Sequence, residues 1–156
     1  QQIELGFNYR MTDIHAALGV SQMHRLDEFV GQRHVIAQRY DELLSGSAVT
    51  TPWQHPDSYS GLHLYIIRLQ DGVTKFSHRE AFEHMRTEGI GVNLHYIPVY
   101  RQPYYAKMGF VPADFPEAER YYAEAFTLPI YPGLSPEQQQ EVVRRLLTPS
   151  GYQTIF

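Results

Sequence analysis

The chain has 156 residues, 43% of them hydrophobic and 19% charged, enough for one sizeable core and tight for two ordinary domains. Lys and Arg number 13 against 17 Asp and Glu, a net charge of -4, so electrostatics points to neither nucleic acid nor an anionic membrane as partner. No cysteine is present, which excludes a disulfide framework, a thiolate nucleophile and a zinc ribbon. No apolar run approaches the ~18 residues a membrane span needs.

The opening QQIELGFNYR lacks the basic start and apolar core of a signal peptide. It also lacks an initiator Met, so the expectation is a piece of a longer or processed chain of cytoplasmic origin. From Thr12 to Leu44 the spacing predicts helix. Ile14, Ala17, Leu18, Gln22, Leu26, Phe29 and Val30 form a stripe, continued by Ile36, Tyr40, Leu43 and Leu44. Thr12 is the expected N-cap and Gly31 the expected bend. Residues 45–61 read as loop, with a short strand around Ala48–Thr51.

Leu62–Leu69 (LHLYIIRL) is apolar on both faces and reads as a central strand. Ser77 and Glu80 have capping-box spacing and open a helix through Phe82 and Met85, with Gly89 at its end. Ile90, Val92 and Leu94 alternate with polar or small residues as a strand that Pro98 stops. Residues 98–113 read as loop or short helical turn. A helix is expected from Pro116 to Ala125, then extended chain over Leu128–Pro132. Ser135, Pro136 and Gln138 combine N-cap, first-turn proline and capping box. They open a final helix with Val142, Val143, Leu146 and Leu147 inward. The resulting fold class is α+β, helices packed on a short, mostly antiparallel sheet.

The sequence contains no H-E-x-x-H, P-loop, G-x-S-x-G or dinucleotide fingerprint. His63 and His95 fall on strands that could adjoin, but two His without a carboxylate motif fall short of a zinc site. The two lysines, Lys75 and Lys107, both lie in segments that read as solvated loop. Two stretches hold residue types that a plain scaffold does not require. In Gly6–Asp13, Asn8 and Arg10 stand just before a helix N-terminus, where they can meet an anion or simply satisfy local backbone. In Asn93–Tyr105, His95, Tyr96, Ile97, Pro98 and Tyr100 leave a strand end, where they can line a mouth or pack as a tyrosine-rich loop.

Four blocks carry a resemblance: GFNYRMTDIHAALGVSQMHRLDEF, HLYIIRL, LHYIPVYRQPYYAKMGF and AERYYAEAFTLPIYPGLSPEQQQEVV. In this order they resemble the DegT/DnrJ/StrS family of sugar aminotransferases, from about Leu5 to Leu147. The resemblance implies a fold-type-I enzyme dependent on pyridoxal 5'-phosphate. It implies a connector and helical arm over residues 1–45, then a C-terminal small domain over 46–156. The large domain bearing the Schiff-base lysine would precede residue 1. Asn8 matches a position reaching the cofactor phosphate of the neighbouring subunit of a homodimer, and Arg10 one near that shared site. His95, Tyr96, Ile97, Pro98 and Tyr100 match the segment facing the substrate. The third block is most similar to enzymes acting at C4 of UDP-linked 4-keto-6-deoxy-N-acetyl sugars, in pseudaminic acid or spore-coat polysaccharide synthesis, with an amino acid, glutamate, as donor. The family often has His where this chain has Tyr100, which leaves the sugar open. The alternatives are a member acting on another sugar nucleotide or carbon, and a non-catalytic binding or assembly domain.

Overall fold

A computed structural model describes residues 9–69 and 76–148. Thr12 caps the first helix, α1 (Asp13–Met23), its side chain accepting from the His15 N–H at 3.3 Å. α1 is followed by α2 (Leu26–Leu44). The interruption falls at His24–Arg25 and not at Gly31, which stays helical within α2. There the Arg25 N–H bonds Gln22 O at 3.0 Å, a three-residue step, and the guanidinium lies over the Phe29 ring at 4.4 Å. The apolar stripe divides at the same point. α1 buries no residue, whereas α2 buries Val30, Ile36, Ala37, Tyr40 and Leu44.

Four short strands follow: β1 (Val49–Thr50), β2 (Tyr65–Leu69), β3 (Asn93–Leu94) and β4 (Ala125–Leu128). They form one sheet in the order β1-β2-β4-β3, with every pairing antiparallel. β2 starts three residues later than expected. Leu62 is buried with φ at 43°, a left-handed conformation that breaks the extended run ahead of Tyr65. β3 is also shorter than expected. The Val92 N–H turns back to Ile90 O at 2.9 Å, which takes Ile90–Val92 out of the ladder.

β4 begins at Ala125, where the sequence reads as the end of a helix, and ends at Leu128, where it reads as extended chain. The chain passes from α5 (Pro116–Glu124) straight into the strand, with Ala125 already extended at φ -95° and ψ 134°. Pro129, which has no N–H to donate, follows the last ladder residue, Leu128.

α3 (His78–Thr87) and α6 (Pro136–Leu147) both carry the expected capping boxes. Gly89 takes the positive φ, 76°, of a helix exit. α2, α3 and α6 cover one sheet face. Ile36, Tyr40, Met85, Val142, Val143 and Leu146 meet Tyr65, Ile67, Leu69, Phe126 and Leu128 in one core. Leu147 is exposed, contrary to expectation, because it ends α6 beyond the last turn on the sheet. The Gln139 amide is buried and donates to Ile36 O at 2.9 Å, tying α6 to α2.

Candidate functional site

The register places Ile66 opposite Thr127, and Thr127 opposite Asn93, on the sheet face away from that core. α5 lies against this second face and makes the Arg68–Glu124 ion pair at 3.4 Å. His95 leaves β3 on the same side as Asn93, and its Nε2 stands 3.2 Å from the Thr127 hydroxyl. Pro98 then takes the chain off the sheet into a 3-10 turn, Val99–Arg101, and a short helix, α4 (Pro103–Ala106). A second 3-10 turn, Pro112–Asp114, leads into α5.

The strand exit and α5 enclose an open cavity of about 410 Å³. His95, Tyr96, Ile97, Pro98 and Val99 form one wall, and Ala118, Tyr121 and Tyr122 the other. Tyr96 is 69% exposed, with its ring edge-on to His95 at 4.6 Å. Burial holds the His95 imidazole below the ordinary histidine pKa, and the neighbouring His63 adds to the effect. His95 therefore stands neutral near pH 7, a hydrogen-bonding group and not a cation. No group of three or more metal-ligating side chains converges among the described residues.

Four of the five expected substrate-facing residues, His95 to Pro98, thus share one cavity. Tyr100 is spent on packing. Its hydroxyl donates to Glu119 at 2.8 Å and its ring stacks on Phe115 at 4.3 Å. Glu119 also binds the Arg101 guanidinium, which holds its carboxyl below the usual range. Arg101 in turn lies over the Tyr122 ring at 5.4 Å. Tyr100 and Arg101 so brace the cavity wall from behind. The α5 wall is what sequence reading missed. Tyr121 and Tyr122 follow Ala118 at three- and four-residue steps, but nothing local says that their helix crosses the strand exit. Arg10 is exposed just before α1, and Asn8 lies outside the described residues.

A family model, the DegT/DnrJ/EryC1/StrS aminotransferase family, matches residues 1–147. The chain belongs to this family. Among its members, the spore coat polysaccharide biosynthesis protein SpsC of Bacillus subtilis is 35% identical over 141 residues, covering 88% of this chain and 36% of SpsC. The putative sugar aminotransferase Spr1654 of Streptococcus pneumoniae, solved in its PLP form, is 30% identical with a TM-score of 0.78, covering 88% of this chain and 35% of that one. PseC of Helicobacter pylori, an aminotransferase involved in pseudaminic acid biosynthesis, is 26% identical with a TM-score of 0.82, over 94% of this chain and 39% of PseC. This chain therefore spans little more than a third of the length of these relatives.

The described residues do not by themselves fit pyridoxal phosphate. Lys107 is exposed beyond α4, and the cavity at the strand exit contains no lysine or arginine to meet a phosphate. They make one wall of a site and not a closed cofactor cradle.

Proposed function

We propose that this chain is the C-terminal part of a pyridoxal-phosphate-dependent aminotransferase. The whole protein moves an amino group from glutamate to C4 of a UDP-linked 4-keto-6-deoxy-N-acetyl sugar for a surface or spore-coat polysaccharide. The observation that carries this reading is the one-sided cavity at the strand exit, in a chain of this family that matches only a third of its relatives. Residues 1–45 lead in as connector and helical arm, and α2 anchors them to the small domain of residues 46–156. A preceding large domain holds the cofactor and its lysine. The cofactor supplies the electron withdrawal that amino transfer needs.

His95, Tyr96, Ile97 and Pro98 supply the sugar-facing wall. The neutral His95 and the Tyr96 hydroxyl orient the sugar, and Ile97 and Pro98 exclude water. Tyr100 keeps this wall in place through Glu119. In a homodimer, Asn8 and Arg10 approach the cofactor phosphate bound by the neighbouring subunit, where an amide and a guanidinium suit an anion. The exposed apolar residues of α1, among them Ile14, Leu18, Val20 and Met23, give that dimer a contact surface.

The test is turnover by the whole protein with pyridoxal phosphate, glutamate and the keto sugar nucleotide. The expected result is stoichiometric 2-oxoglutarate and a product amine at C4 by NMR. Amination at another carbon would shift the reading to another branch of the family. No turnover with any keto sugar nucleotide would leave a non-catalytic domain of the same fold.

A further inference from the structure

Thr127 sits on β4 opposite Asn93 of β3, and it is buried. Its hydroxyl has two neighbours. Thr127 Oγ1 donates to the Asn93 carbonyl at 3.2 Å and stands 3.2 Å from His95 Nε2. A hydroxyl carries one hydrogen. With that hydrogen given to Asn93 O, Oγ1 faces His95 only with a lone pair, so Nε2 must bring the proton. The second ring nitrogen, Nδ1, is buried and has no hydrogen-bond partner among the described residues.

We infer that Thr127 is a positioning residue for His95: it holds the imidazole as the neutral Nε2–H tautomer and leaves Nδ1 as the unprotonated nitrogen. Burial and the neighbouring His63 act in the same direction, since both disfavour a second proton on the ring. Given the sugar-nucleotide reading above, on which this step rests, His95 presents an uncharged ring at the cavity wall, held in one orientation beside Tyr96.

The test needs neither substrate nor cofactor, so its failure is separable from failure of the functional reading. The protein is labelled with 15N-histidine, and the His95 signals are assigned by their loss in His95→Gln. In the wild type, Nε2 is expected to carry a directly bonded proton that exchanges slowly with water, with Nδ1 resonating as an unprotonated nitrogen. Thr127→Ser, which keeps the hydroxyl, should preserve this pattern. Thr127→Val, nearly isosteric in a buried site, should lose the protected Nε2–H signal to solvent exchange. A proton on Nδ1 in the wild type would overturn the inference whether or not the valine variant folds. So would an unchanged, protected Nε2–H in a folded Thr127→Val protein.

Discussion

Tyr40 is buried in the core and donates its hydroxyl to the Pro129 carbonyl at 3.0 Å. Tyr65 stands beside it, ring centroids 5.0 Å apart, and donates to Asp41 at 2.5 Å. Burial pushes both phenols well above the ordinary value near 10, and for Tyr65 the bond to Asp41 adds to the rise. The folded state then keeps protons that the unfolded chain releases, so the stability these groups contribute is present below about pH 10 and lost as pH rises further. Urea unfolding midpoints should fall steeply between about pH 10 and 11 in the wild type and less steeply in Tyr65→Phe. Tyr40→Phe should cost about 1 kcal/mol at neutral pH, the ordinary worth of one hydrogen bond, measurable by the same titration. On the proposed function, Tyr96 serves the substrate and contributes little to stability. It is exposed, so Tyr96→Phe should leave the unfolding midpoint within about 0.5 kcal/mol of wild type. In the whole protein, Tyr96→Phe and His95→Ala should each lower kcat/KM for the keto sugar by the equivalent of about 1–3 kcal/mol. The half-reaction with glutamate should change much less, and stopped-flow measurement of each half-reaction separates the two.

Among the elements, the helix starts were the most legible in the sequence. Ser77 accepts from the Glu80 N–H at 3.2 Å, while Glu80 Oε2 accepts from the Ser77 N–H at 2.8 Å. Ser135 and Gln138 repeat the arrangement at the start of α6. These are contacts within three residues, so local spacing is sufficient to predict them. Ser77→Ala and Ser135→Ala should each cost about 1 kcal/mol in urea unfolding, and the costs should add, because the two caps share no partner. Strand limits were less legible. β2 is shortened by the left-handed Leu62, and β3 by the turn at Ile90–Val92. Only Leu128 of β4 was legible as extended, because AFTL has a neighbour on each side, β2 and β3, that pairing alone supplies. The break at Arg25 has no glycine or proline to announce it. It separates a helix that buries nothing from one that packs on the core, a difference of environment and not of composition.

At the scale of the whole molecule, the chain has a complete core on one side of its sheet and an open cavity on the other. On the functional reading above, the chain alone should neither transaminate nor hold pyridoxal phosphate at a defined lysine. Borohydride trapping with added cofactor, followed by peptide mapping, should show only scattered, substoichiometric labelling of Lys75 and Lys107. One stoichiometrically labelled lysine would place the cofactor chemistry within this chain.

The sequence by itself determined what depends on neighbours along the chain: helix starts, the proline stops and the tyrosine-rich exit beside His95. Its ordered motif blocks were also enough to place the chain in its family, since each preserves local residue types. Only the tertiary structure decided which residues share the cavity. The wall formed by Tyr121 and Tyr122 meets His95 and Tyr96 because α5 crosses the sheet's second face, and Thr127 reaches His95 because β4 pairs with β3. Those contacts join residues more than 20 positions apart in sequence, and no periodicity within either segment encodes the register that brings them together.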